Sequence, residues 1–210
     1  MKRLLDWGGY RDSFINIFRQ NNISEVYHLT KLSNLNSIFD TDHLLSKKEL
    51  QQRNINVEHS TNCLSQYLDD KKYLDDYIHF SFNSYQYNPN LCAFIKREPN
   101  TNFCILRLDI DSLAKIDGVK FSNINATDND AIIFDDLDNL RKLDFDTLTS
   151  KSIPCSAPNF ILESFKNNKR LKYDFTYKTA QAEILIPTSL DIANLCIDDV
   201  IIQQRIADGK

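Results

Sequence analysis

The segment Lys178-Thr-Ala-Gln-Ala-Glu-Ile-Leu-Ile-Pro187 carries a carboxylate into what reads as a buried strand. Glu183 sits between Ala182 and the apolar run Ile184-Leu185-Ile186. A carboxylate there is costly unless it is paired or faces a cleft. Gln181 lies two residues earlier, so strand periodicity puts both side chains on one face. In a cleft, such a Glu can accept a hydrogen bond from a sugar hydroxyl and stabilise positive charge at an anomeric carbon. The Gln can hold the incoming nucleophile. A Glu at the strand's wet edge, bridged to a lysine, has the same spacing, so periodicity alone leaves both readings open.

Three further groups invite chemistry. His28, in Tyr27-His28-Leu29-Thr30, is either a hydrogen-bonded core histidine or a donor to a ribose hydroxyl, with Thr30 beside it. The cluster Tyr77, His79, Phe80, Phe82, Tyr85 and Tyr87 packs by default, yet one of its faces can wall a pocket for a flat ring. Phe165 to Lys178 holds Lys166, Lys169, Arg170, Lys172 and Lys178 against a single Asp174, interleaved with Tyr173, Phe175 and Tyr177. Cations for phosphates and rings for stacked bases suit single-stranded nucleic acid; a solvated basic helix is the alternative. The four histidines are scattered, so no metal site is expected. Four glycines cannot build a Walker loop or a Rossmann fingerprint, so any nucleotide must be held by side chains and strand backbone.

The elements that must position these groups follow from periodicity. Residues 1–22 read as a helix with Phe14, Ile15 and Phe18 on one stripe, closed by Asn21-Asn22. Strands are expected at 23–29, 77–82, 102–110, 119–124, 182–186 and 199–202. Thr30 is placed to cap a short helix whose buried stripe is Leu32, Leu35 and Phe39. Another short helix should start at Leu91. Residues 46–76 are polar with few apolar anchors, and the acidic run 128–146 suggests one helix with a solvated acidic face. With 210 residues and 42% apolar content, no repeat and no linker, the chain reads as one α+β domain with a mainly antiparallel sheet. A net charge of −4 excludes a general basic coat but not a local patch. Five cysteines without metal-ligand spacing read as buried or free thiols of a reduced, cytoplasmic protein. No secretion signal and no membrane span are expected.

Together these pieces resemble the DarT family of DNA ADP-ribosyltransferases, toxins of toxin–antitoxin pairs. The likeness runs through Tyr27-His-Leu-Thr-Lys-Leu-Ser-Asn-Leu35, Tyr77-Ile-His-Phe-Ser-Phe-Asn83, Asn88-Pro-Asn-Leu91 and Gln181-Ala-Glu-Ile-Leu-Ile-Pro187, over roughly residues 25–205. The resemblance implies an ADP-ribosyltransferase fold, two small mainly antiparallel sheets around an NAD cleft with peripheral helices. It makes residues 1–22 an N-terminal extension and 23–210 the catalytic domain. It implies NAD as co-substrate without a metal, and transfer to a base in single-stranded DNA. The same chemistry on RNA, or a nucleic-acid- or protein-binding module of this fold, are the alternatives, and transfer to protein side chains is a third. His28, Thr30 and Asn34 would contact NAD, with Phe80, Phe82 or Tyr85 flanking nicotinamide. Glu183 would be the catalytic carboxylate with Gln181, and Lys166, Lys169, Arg170, Lys172, Tyr173 and Tyr177 would hold the target strand. An antitoxin is the implied protein partner. The family also has an arginine between the first helix and the aromatic strand. Residues 54–76 contain none, which leaves Arg53 as the candidate.

Overall fold

A computed structural model describes residues 7–59, 63–84, 87–98, 100–150 and 178–201. Helix α1 (Trp7–Gln20) opens the described chain. It stops where Asn22 turns left-handed at φ 58° and the Asn21 side chain bonds back to the Ile17 carbonyl at 2.7 Å. Strand β1 (Glu25–Lys31) follows, a 3-10 turn (Leu32–Asn34) leads into α2 (Leu35–Thr41), and β2 (His43–Leu45) precedes α3 (Lys47–Gln52). Thr30 is not a helix cap. It lies inside β1, and its hydroxyl accepts from Asn34 Nδ2 at 3.2 Å.

Residues 46–76 are tied down by ion pairs and by the buried Leu74, which packs with Ala126 and Leu185. Helix α4 (Cys63–Lys71) is linked to α3 by Lys47 Nζ–Asp70 Oδ1 at 2.5 Å, and Lys48 pairs with Asp76 at 2.6 Å. Then come β3 (Tyr77–Ser81), α5 (Pro89–Arg97), β4 (Phe103–Asp109), α6 (Ile110–Leu113), β5 (Lys120–Ser122) and β6 (Ile133–Phe134). The acidic run forms two one-turn helices rather than one, α7 (Leu137–Leu140) and α8 (Phe145–Leu148). Asp136 and Asp144 cap them through the Asn139 and Thr147 amides. Asn139's amide holds the Asp136 carboxyl below its usual range. Those aspartates are therefore local structure as well as solvated charge.

Strand β7 (Glu183–Pro187) is followed by β8 (Ser189–Asp191), a 3-10 turn (Ile192–Asn194) and β9 (Leu195–Ile201). The main sheet runs β6-β5-β7-β3-β1-β4-β9, and its paired strands are antiparallel; β2 and β8 form a second, two-stranded ladder. β1 matches β4 residue for residue from Glu25↔Asp109 to Lys31↔Phe103, and β3 matches β7 from Tyr77↔Pro187 to Ser81↔Glu183. Between β1 and β3, only Tyr27↔Ser81 is paired. The sheet therefore splits there into two antiparallel halves hinged at one point, and a cleft opens along the split.

The principal core lies under the halves. Phe14 and Phe18 of α1 stack at 4.8 Å, and Phe18 meets Phe82, Phe121 and Phe145 at 5.9, 6.3 and 6.3 Å. The same cluster takes in Val26, Leu106, Ile184 and Ile186. Helix α1 is thus built into the core that carries β7. Cys104 is a buried free thiol and Cys196 an exposed one, but Cys92, expected to be a thiol, is disulfide-bonded.

Candidate active site

The split between β1 and β3 is lined on one side by His28 and Thr30 and on the other by His79, Phe80, Gln181 and Glu183. His28 crosses it: its Nδ1 lies 2.8 Å from the His79 carbonyl, which can only accept, so Nδ1 carries the proton. Burial holds this imidazole far down, at about 4, and the ring is neutral at physiological pH. Its Nε2 is then an acceptor. The ring thus presents a lone pair to the cleft, where the sequence led us to expect a donor. Its ring leans on Phe80, with centroids 5.4 Å apart.

Thr30 and Asn34 also line the cleft, and both are buried. Asn34 is a clamp. Its Nδ2 donates to the Glu58 carbonyl at 2.9 Å, and its Oδ1 accepts the Glu58 amide at 2.9 Å. It holds residues 57–59 against the cleft rim, bringing His59 and Val57 to the lining. At the end of β1, the nearly buried Lys31 reinforces this rim with ion pairs to Glu98 at 2.7 Å and Glu58 at 3.6 Å.

On the opposite side Glu183 begins β7, and its own amide donates to Ser122 Oγ at 3.0 Å. Its Oε2 accepts two hydrogen bonds, from His79 Nδ1 at 3.0 Å and from the Ala126 amide at 3.2 Å. Among the described residues, no donor to Oε1 is recorded. The loop that brings Ala126 is pinned by Lys72, which donates to the Ala126 and Asp128 carbonyls, and by Lys178, which pairs with Asp128 at 3.0 Å and Asp130 at 3.6 Å. The Asp130 amide, aided by Lys178, holds the Asp128 carboxyl below its usual range.

Gln181 reaches the same cleft by a different route from the one periodicity suggests. It lies in a turn ahead of β7, with its amide bonded to the Lys178 carbonyl at 3.0 Å. Asn88 fixes that turn: it donates to the Ala180 carbonyl at 3.3 Å and to Ser81 Oγ at 2.6 Å while capping α5.

Two expected residues are elsewhere. Phe82 lies one residue past the end of β3 and is buried in the same core cluster as Phe80, against Phe18, Phe121 and Phe145. Arg53 caps the C-terminal end of α3 and folds back on Glu49, one turn earlier, at 2.9 Å; it does not line the cleft. Such an exposed i,i+4 pair contributes only about 0.3–0.5 kcal/mol. Arg53→Ala should therefore leave transfer within about twofold of wild type and the melting temperature within a degree or so, measured by oligonucleotide labelling and thermal unfolding. Among the described residues, the cations that line the cleft are Lys47 and His79, while burial and the nearby Lys47 and Lys31 push the His59 imidazole down. Tyr85, and Lys166, Lys169, Arg170, Lys172, Tyr173 and Tyr177, lie outside the described residues.

The residues missed from the sequence are His79 as partner of Glu183, Asp69 behind it, and Asn88 with Ser81 beneath the Gln181 turn. No local signal marks the first pair, whose members are 104 positions apart. Asn88-Pro89 is a helix-start signal that the expected start at Leu91 passed over, and nothing local marks Asn88 as the anchor of a distant turn. No cluster of residues suited to holding a metal occurs among the described residues.

An antiparallel sheet split around a cleft, with His28 on one half and Glu183 on the other, is the arrangement expected of an ADP-ribosyltransferase. Comparison with known proteins narrows the class. Residues 27–205 match the family described as "ssDNA thymidine ADP-ribosyltransferase, DarT", and the chain belongs to that family. Among solved structures, the Thermus sp. 2.9 DarT in complex with ADP-ribosylated ssDNA aligns with TM-score 0.62 at 17% identity, covering 88% of this chain and 84% of that one. The same protein in complex with NAD+ aligns with TM-score 0.57 at 16% identity, covering 87% and 83%. Thermosipho africanus DarTG in complex with ADP-ribose aligns with TM-score 0.54 at 18% identity, covering 84% of this chain and 44% of that one. No curated protein matches the sequence. The chain is thus an NAD-dependent ADP-ribosyltransferase of a family that modifies single-stranded DNA.

Proposed function

We propose that this protein transfers ADP-ribose from NAD to a thymine base of single-stranded DNA, with Glu183 as the catalytic carboxylate, and that it acts as the toxin of a toxin–antitoxin pair. The observation that carries the chemistry is the pinned Glu183 carboxylate, fixed through Oε2 and, among the described residues, without a donor at Oε1. Bound NAD supplies an anomeric carbon whose bond to nicotinamide breaks with the electron pair leaving on nicotinamide. Glu183 stabilises the positive charge that develops there and accepts a ribose hydroxyl. His28 and Thr30 orient that ribose from β1, and Phe80 forms the apolar wall beside it. Gln181 holds the incoming base, whose ring nitrogen forms the new bond to the anomeric carbon and releases its proton to solvent.

The acceptor is supported by the family, and the antitoxin by the DarTG relative, whose complex contains ADP-ribose. No helix among the described residues is long and apolar enough to cross a membrane. With Cys92 disulfide-bonded, the cytoplasmic reading rests on where the DNA is rather than on reduced thiols. Incubation of the purified protein with labelled NAD and thymine-containing or thymine-free single-stranded oligonucleotides, RNA or total protein tests the reading. Label on the thymine-containing DNA alone is the expected result. Label on RNA alone would replace the acceptor, and label on protein alone would remove nucleic acid from the reaction.

The basic and aromatic run before Glu183 is the proposed strand-binding segment, on the strength of its composition. Replacing Lys169 and Arg170 together with alanine removes two phosphate-binding charges, so the slope of log affinity against log salt should flatten by about 1.4 for a single strand. Fluorescence anisotropy with a labelled oligonucleotide at several salt concentrations measures it. A slope unchanged from wild type makes the run structural.

A further inference from the structure

We propose that His79 is a positioning residue for the Glu183 carboxylate, pinning Oε2 so that Oε1 is turned to the substrate, with Asp69 holding the imidazole from its far side. The proposal rests on the reading of Glu183 as the catalytic carboxylate. Cross-strand register builds the pair. His79 stands opposite Leu185, so Glu183, two residues before Leu185, is its diagonal neighbour across β3 and β7. Their side chains meet at 3.0 Å.

The far side of the ring is equally determined. His79 hydrogen-bonds the Leu74 carbonyl, and its Nε2 lies 4.0 Å from Asp69 Oδ1, too far for a hydrogen bond but close enough for charge. Among the described residues that buried Oδ1 has no hydrogen-bond partner, and Nε2 is the cationic centre that comes within 4.0 Å of it. A carboxylate and a carbonyl both require a donor, and only the imidazolium has two. Burial alone would push the imidazole down, but Glu183 and Asp69 outweigh it and raise it to about 9. Asp69 itself is pushed up by burial to about 6. The titratable groups around the ring are Glu183 from β7, Asp69 and Asp70 from α4, Lys47 from α3 and His28 from β1.

The arrangement gives this site a cation in contact with the carboxylate, where Arg53 supplies none. Loss of the proton leaves one N–H for two acceptors, so either Glu183 or the Leu74 carbonyl then faces a lone pair. The hold on Oε2 is full below about pH 9 and slackens as pH rises through it.

Transfer rates to a thymine-containing oligonucleotide, measured from pH 6 to 10 for wild type, His79→Gln, Asp69→Asn and Glu183→Gln, test this. Ionisation of the substrate is common to all four proteins and cancels in the ratio to wild type. His79→Gln should lower kcat on the order of 10–100-fold at pH 7 with little change in KM for NAD, and the deficit should shrink above pH 9. Asp69→Asn removes one of the charges that hold the proton, so its ratio to wild type should dip as pH approaches 9 from below. A His79→Gln ratio independent of pH, or an Asp69→Asn ratio without the dip, overturns the proposal. The second decides if His79→Gln does not fold. An active Glu183→Gln overturns the reading of Glu183 itself, whereas an inactive Glu183→Gln beside a fully active, folded His79→Gln overturns only the role of His79.

Discussion

Glu183→Gln should abolish most transfer while leaving the protein folded: a loss on the order of 10²–10³-fold, the cost of removing one preorganised electrostatic contact to a developing charge. The substitution keeps the volume of the side chain and an acceptor for the Ala126 amide, so the loop 123–131 stays clamped by Lys72 and Lys178. What disappears is the negative charge beside the anomeric carbon. Transfer of label from NAD to a thymine-containing oligonucleotide measures the loss, and thermal unfolding checks that the fold survives. A folded variant within about fivefold of wild type would mean that Glu183 is a structural partner of His79 and that another group carries the chemistry.

How much of this was readable in one sequence depends on the range over which each residue is specified. Glu183 was legible because a carboxylate at the head of Ile184-Leu185-Ile186 conflicts with its surroundings, and such a conflict must be resolved by pairing or by function. His28 was legible as a strand-end histidine, but its polarity was not. The His79 carbonyl decides which nitrogen carries the proton, and it lies 51 residues away. Gln181 was placed in the right cleft for the wrong reason, since the turn anchored by Asn88, and not a strand, delivers it. Phe82 and Arg53 failed at element ends. Phe82 follows Phe80 into the principal core one residue past β3, and α3 ends on Arg53 with Glu49 a turn away to claim its guanidinium. The His79–Glu183–Asp69 constellation had no local trace, because it exists only through the β3–β7 register and the docking of α4. The three-residue ladder of β2 and β8 was equally hidden, being too short to show a period.

The helix α1 bears on where the catalytic unit begins. If residues 1–22 were an appendage over the cleft or a docking arm, trimming their apolar face would change binding and leave stability alone. Its packing argues for the opposite outcome. Phe18 is fully buried and touches Phe82, one residue past β3, Phe121 of β5 and Phe145 of α8. Those partners flank the strands that hold His79 and Glu183. Phe18→Ala should therefore cost about 3–5 kcal/mol, as deletion of a buried ring does. For a chain of this size each kcal/mol lowers the melting temperature by roughly 2–4 °C, so a fall of about 6–20 °C is expected in a thermal scan. Transfer at low temperature should survive in the fraction that remains folded, because Phe18 does not line the cleft. A variant that melts like wild type would make α1 separable from the catalytic domain. A variant that melts early makes Phe14 and Phe18 part of the floor on which Glu183 is held.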